Sequence, residues 1–260
     1  MIPKRVMAIV NQKGGVGKTT TAINLSAALA ERDQRVLLID MDPQGNASTG
    51  LGVRREHRDN STYEMMTEGL SLDDAIRPTQ VRGLYIIPSH PDLSAAEIEI
   101  GTSDGRTRIL TNAIKDATAA FDYVLVDCPP SLNLLTLNAL AAARSVIVPL
   151  QCEFFALEGL SQLLKTVEMA KAGINPSLAI DGVMLTMYDR RNRLSAQVAE
   201  DVRKHLGRAV FETVIPRNVR IAEAPSFAEP VTTYDPSSSG ARAYRRLARE
   251  VLRKHSERKK

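Results

Sequence analysis

Residues Gln12 to Thr21 read QKGGVGKTTT, and the rest of the chain takes its meaning from them. The stretch follows an apolar run, Val6-Met7-Ala8-Ile9-Val10, and precedes a helical pattern of Ile23, Leu25, Ala28 and Leu29. Strand, glycine-rich turn and helix, in that order, is the context in which such a loop holds phosphate. Gly14, Gly15 and Gly17 carry no Cβ, so their amides can turn inward toward an anion. The helix starting near Lys18 adds free N–H groups and the positive end of its dipole. In that setting Lys18 reaches the β- and γ-phosphates of a nucleoside triphosphate, and the Thr19 hydroxyl ligates Mg²⁺.

Two departures from common patterns stand out. The strict phosphate loop has glycine five positions before its last glycine, and here that place is Gln12, followed by a second lysine, Lys13. A dinucleotide GxGxxG reading fails because its third glycine would be Thr20. A glycine-rich turn without a ligand is the plainer alternative, and the strand–helix context weighs against it.

Downstream, Arg35-Val36-Leu37-Leu38-Ile39-Asp40 is a short apolar run, as expected of a parallel strand buried on both faces. It ends in the turn-rich Asp40-Met41-Asp42-Pro43-Gln44-Gly45-Asn46, at the strand edge where open α/β sheets carry functional groups. Tyr123-Val124-Leu125-Val126-Asp127 is a second strand delivering a carboxylate beside a metal, and Pro129-Pro130 then forces the chain out of the sheet. Further strands are expected at 84–88, 146–150, 178–187 and 210–215. Helices are expected at 95–100, 108–120, 134–143, 154–172, 194–206 and about 238–254. Ser61 and Ser71, each followed three residues on by an acid, are candidate helix caps. The expected fold is α/β: a phosphate-loop-type, mostly parallel sheet with helices on both faces, as a single domain over 1–260.

Bulk properties bound the rest. A chain of 260 residues buries a sizeable core. Its two cysteines, Cys128 and Cys152, form no CxxC, which argues against a disulfide framework or zinc site and fits buried packing thiols in a reducing cytoplasm. No apolar run reaches a membrane span of ~18 residues, and no signal-peptide pattern opens the chain. Net charge is only +4, yet residues 241–260 hold nine Lys/Arg against Glu250 and Glu257, leaving the remainder net negative. Such a local basic end reads as a footprint for a polyanion or, for the tail at 255–260, equally as a solvated terminus.

These residues carry a family resemblance. Lys13-Gly14-Gly15-Val16-Gly17-Lys18-Thr19-Thr20 resembles the deviant Walker A loop of the ParA/MinD ATPases, and Val124 to Pro130 their Walker B segment. Asp42-Pro43-Gln44-Gly45-Asn46, Phe155-Ala156-Leu157-Glu158-Gly159-Leu160 and Ile215-Pro216-Arg217-Asn218-Val219-Arg220 resemble the chromosomal ParA (Soj) subgroup, without the N-terminal DNA-binding extension of some plasmid members. The resemblance implies a cytoplasmic, nucleoid-associated ATPase using ATP and Mg²⁺. Its ATP-bound homodimer binds double-stranded DNA non-specifically and releases it after hydrolysis stimulated by a ParB-type partner. By residue it implies that Lys13 crosses the dimer to the partner's ATP and that Lys18 and Asp42 are catalytic, Asp42 orienting the attacking water. Thr19 and Asp127 hold Mg²⁺, with Asp40 either supporting the metal shell or serving structure alone. Met187, Pro216, Arg217 and Asn218 line the adenine pocket.

For DNA, the resemblance points to Arg191 and Arg220, with Arg190 and Arg193 beside them. Read without it, three arginines in five residues are more simply a solvated loop. The C-terminal arginines, Arg242, Arg245, Arg246, Arg249 and Arg253, extend the same basic character. No aromatics interleave with these charges, so stacking on single strands is not indicated. Two competing readings share the loops: a MinD-like membrane-patterning ATPase ending in an amphipathic helix, and an ATP-dependent carboxylate or amide ligase on the same scaffold.

Overall fold

The computed structural model describes residues 5–102, 104–115 and 120–257. Among these, seven strands form one sheet in the order β3-β4-β2-β5-β1-β6-β7. They are β1 Val6–Ile9, β2 Val36–Asp40, β3 Arg77–Pro78, β4 Leu84–Ile87, β5 Tyr123–Asp127, β6 Ser145–Gln151 and β7 Ala179–Thr186. Every named pairing is parallel except β3 with β4.

The apolar runs form inner strands because both of their faces are covered. Successive residues alternate between two cores, as the two-residue strand period requires. Val6, Ala8, Leu37, Ile39, Val124 and Val126 enter one core, while Met7, Ile9, Val36, Leu38, Tyr123 and Leu125 enter the other. The long helices are α1 Lys18–Ala30, α2 Leu134–Ala142, α3 Ala156–Gly173, α4 Arg193–Leu206 and α5 Ser239–Glu257. Helices α2, α3 and α4 contribute to the first core, and α1 and α5 to the second.

Helix α1 is buried nearly all round because it lies between the sheet and α5, and its alanines 22, 27, 28 and 30 admit that close approach. The apolar face of α5 (Tyr244, Leu247, Ala248, Val251) is fully covered by the protein itself. No helix among the described residues is long and apolar enough to cross a membrane.

Several local readings hold. Ser61 and Glu64 form a capping box, Ser71 caps the Leu72–Ala75 turn, and both cysteines are buried and free. One expected strand does not form. Over Val210 to Ile215 a single isolated bridge appears, Val183 with Val210, and a second, Tyr188 with Pro216, follows directly after. The amides of Phe211 and Ile215 still reach β7, at Val183 and Leu185. Between them, the amides of Glu212 and Thr213 turn away to the carboxylate of Glu250 on α5, at 2.7 and 3.0 Å. A buried side chain thus takes the Thr213 amide, the donor that a ladder to β7 would have used between Phe211 and Ile215. The two-residue β3 has no periodic signal and was not expected. The helix expected over 108–120 is present as Ile109–Ala113; residues 116–119, and the tail residues 258–260, lie outside the described residues.

Candidate nucleotide site and basic cleft

The loop after β1 lies at the C-terminal edge of the parallel strands, with β5 and β6 on either side of β1. That is the switch point at which open α/β sheets bind ligands. Gly15 and Gly17 have φ of 73° and 92°, conformations an L side chain rarely adopts. Gly17 also caps α1, so the turn and the helix start are one feature. Side chains pin the loop from two strands. Thr186 Oγ1 donates to the Val16 carbonyl at 2.9 Å, and Asn11 Nδ2 to the Pro149 carbonyl at 2.7 Å.

Lys18 is buried, and its Nζ donates to the Lys13 carbonyl across the loop at 3.0 Å. Burial lowers its pKa, opposed by the charges of Asp127 and Asp42. The side chain of Lys13 points out of the loop and pairs with Glu153, a residue the sequence reading missed.

Three acids converge beside the loop. Asp127 is fully buried, and neither of its carboxylate oxygens has a hydrogen-bond partner of normal geometry. Burial, followed by the charge of Asp40, raises its pKa well above the usual carboxylate range, with Thr19 and Lys18 pulling the other way. Asp40 lies opposite Asp127 in the β2–β5 register and is equally buried. Its oxygens accept from Ser48 N at 2.8 Å, Ser48 Oγ at 2.6 Å and Asp42 N at 3.2 Å. Burial raises its pKa to about 6 against those hydrogen bonds. Asp40 thus braces the following turn from behind. Asp42, at the mouth, accepts from Gln44 N at 3.0 Å and lines a cleft of about 500 Å³ with Gly14, Gly15, Lys18, Thr19 and Thr20.

An orphaned buried carboxylate beside a threonine hydroxyl suits a divalent cation. Among the described residues no cluster of three or more His, Cys, Asp or Glu forms a metal cage. That fits an ion whose remaining ligands are phosphate oxygens and water.

A second pocket of about 470 Å³ adjoins the first, sharing Gly17, Thr20, Met187 and Pro225. The structure brings together here Met187, Pro216, Arg217 and Asn218, the four residues expected around a base. It adds Ile215 and Val219 from the same Soj-like stretch, and Thr186, Ile221 and Tyr244, which carried no motif. Met187 has φ 51°, a left-handed residue ending β7 that turns the chain around the pocket.

The arginines divide. Arg190, Arg191 and Arg217 line one cleft of about 500 Å³ together with Arg242 and Arg246 of α5. Arg193 and Arg220 are not part of that lining. Arg191 forms a bidentate pair with Asp189, at 3.1 and 3.0 Å, which lowers the Asp189 pKa to about 2. Arg220 pairs with Glu223 and Asp235 at 2.9 and 3.4 Å. Arg245 and Arg253 are held elsewhere, by Glu31 and Glu212.

A phosphate loop at the switch point of a parallel sheet, with acids at the ends of two adjoining strands, defines a nucleotide-binding α/β protein, and the family model described as "AAA domain" matches residues 4–180. The chain is 56% identical to the chromosome partitioning protein ParA of Caulobacter vibrioides, over 98% of this chain and 97% of that one. It is 49% identical to the sporulation initiation inhibitor protein Soj of Bacillus subtilis, over 95% and 98%. The chain belongs to the ParA/Soj family of chromosome-partitioning proteins. Among solved structures it resembles one described as cobyrinic acid a,c-diamide synthase from Mycobacterium smegmatis with bound ATP analog and magnesium. That likeness has a TM-score of 0.86 and 38% identity, over 98% of this chain and 97% of that one.

Proposed function

We propose that this chain is a Mg²⁺-dependent DNA-partitioning ATPase whose ATP-bound homodimer binds double-stranded DNA without sequence preference. It releases the DNA after hydrolysis stimulated by a ParB-type partner. The observation that carries the reading is the unpartnered, buried Asp127 carboxylate set beside Thr19, Lys18 and the Asp42 turn.

In this reading the amides of Gly14 to Lys18 bind the β- and γ-phosphates, and Lys18 Nζ leaves the Lys13 carbonyl for them. Thr19 and Asp127 hold Mg²⁺, which when bound neutralises charge on the triphosphate. The Asp42 carboxylate accepts a hydrogen bond from the attacking water and orients it. Lys13 Nζ exchanges Glu153 for the ATP of a second copy, adding positive charge where it develops in the transition state. Asp40 holds the Asp42 turn. The base lies in the pocket of Met187, Pro216 and Asn218.

Dimerisation doubles the arginine cleft on one face, so nucleotide state controls DNA affinity. Such a protein works in the cytoplasm on the nucleoid. A membrane-patterning role is disfavoured by α5, whose apolar face is spent on its own domain. The amide-forming activity in the printed name of the Mycobacterium smegmatis structure belongs to a protein at 38% identity, against 56% for the Caulobacter ParA.

The test combines size exclusion with DNA binding. With ATP, Asp42→Ala accumulates as a dimer and binds duplex DNA, and the ADP form does not. Equal DNA affinity with ADP and with a non-hydrolysed ATP analogue overturns the switch.

A further inference from the structure

Arg58 is a buried cation that no motif predicted, 3% exposed and placed directly after the short turn Arg55–His57. All its hydrogen-bond acceptors are uncharged. The Val53 carbonyl receives Nε at 3.2 Å and Nη2 at 3.1 Å, Thr49 Oγ1 receives Nη2 at 2.7 Å, and the Ser89 carbonyl receives Nη1 at 3.5 Å.

The guanidinium lies against the bare Cα of Gly45. A Cβ there would fall 1.9 Å from Nη1. Gly45 closes the turn that Asp42 opens, its amide donating to the Asp42 carbonyl at 2.8 Å. Thr49, which accepts from Arg58, also donates to the Gly45 carbonyl at 3.1 Å. Arg58 therefore supports this turn twice, by direct packing on Gly45 and through Thr49.

Burial disfavours the Arg58 charge more than the nearby Asp40 carboxylate offsets it, so an arginine here is unfavourable compared with an apolar side chain of similar volume. Packing alone would be served by methionine or leucine. What only arginine supplies is a rigid fork that reaches Val53, Thr49 and Ser89 at once, which a lysine ammonium cannot do.

We propose that Arg58 is a positioning residue for ATP hydrolysis: its guanidinium sets the Asp42–Gly45 turn and thereby the Asp42 carboxylate over the phosphate loop. This rests on the reading of Asp42 as the group that orients water.

The experiment measures steady-state ATP turnover and binding of a non-hydrolysed ATP analogue for the full chain. The variants are Arg58→Met, Arg58→Lys, Asp42→Ala and the double variant Arg58→Met/Asp42→Ala. Arg58→Met is expected to lose about tenfold or more in kcat, with KM and analogue affinity within about threefold of wild type. Arg58→Lys recovers little of the loss, and the double variant is no slower than Asp42→Ala alone, because both changes remove the same contribution. A wild-type kcat in Arg58→Met, or losses that multiply in the double variant, overturns the proposal. Full turnover in Asp42→Ala overturns the reading of Asp42 itself, so the two failures are told apart. Should the Arg58 variants not fold, the exposed Thr49 reports instead. Thr49→Val loses about threefold in kcat and Thr49→Ser restores it; an unchanged rate in Thr49→Val counts against the proposal.

Discussion

Asp40 on β2 and Asp127 on β5 stand opposite each other on neighbouring parallel strands, both fully buried. Asp40 spends its oxygens on Ser48 and the Asp42 amide, while Asp127 spends neither of its own. Two carboxylates at one level in a low-dielectric interior repel each other and favour their protonated forms. Their repulsion is offset only in part, by Thr19 and Lys18 beside Asp127 and by the hydrogen bonds to Asp40, so a bound cation would stabilise the pair further.

The first prediction concerns pH. Burial raises the folded pKa of both acids, Asp40 to about 6, so the folded chain binds more protons than the unfolded chain over that range. Their contribution to stability is fully present below the ordinary carboxylate value near 4 and is lost as pH rises through the folded value. Asp127→Asn, which cannot ionise, is expected to melt higher than wild type at pH 7 without nucleotide, by a gap that narrows at pH 5. The same variant loses Mg²⁺-dependent turnover. Nucleotide-free thermal melts at the two pH values, alongside ATPase rates, check both halves.

The loop glycines are not equivalent. Gly17 has φ 92°, so Gly17→Ala strains the backbone by about 1–2 kcal/mol and is expected to lower the melting temperature by several degrees. Gly14 has no positive φ and open space around an added Cβ. Gly14→Ala is expected to melt like wild type and to lose only affinity for an ATP analogue. Melting curves and nucleotide titrations on the two variants separate stability from binding.

For the basic surface, the structure ranks the arginines of α5. Arg242→Ala and Arg246→Ala, which open the cleft shared with Arg190, Arg191 and Arg217, are each expected to weaken binding of the ATP-bound dimer to duplex DNA. Each removes one charge per protomer, two per dimer, and so flattens the slope of log affinity against log salt by about 2. Arg245→Ala and Arg253→Ala, paired to Glu31 and Glu212, leave that slope unchanged. A salt series on the four variants decides the matter.

Glu250 is predicted to be a stability residue without a part in turnover. Its carboxylate takes the amides of Glu212 and Thr213, and Glu250→Gln offers one of those donors an NH₂ group in place of an acceptor. An unsatisfied buried amide costs about 1–3 kcal/mol. The expected result is a lower denaturation midpoint with ATP turnover per folded molecule preserved.

The sequence alone determined the inner sheet and the phosphate loop. Continuous apolar runs such as Val36–Ile39 and Val124–Val126 point to a parallel strand covered on both sides, and KGGVGKT between a strand and a helix points to phosphate binding. These signals are local, because strand period, helix start and glycine conformation are settled within a few residues. The tertiary structure decided what depends on distant partners. Val210 to Ile215 has the composition of a strand, and Glu250, 38 residues on, interrupts it. Arg58 reads as one more surface arginine until folding carries it beneath Gly45. Arg220 and Arg242 read alike as basic positions, yet one is paired to Glu223 and Asp235 while the other lines the cleft. The orphaned state of Asp127 is likewise invisible in Val-Asp-Cys-Pro-Pro. Whether a buried polar group finds a partner is a property of the space around it, and that space is built by segments the local sequence does not contain.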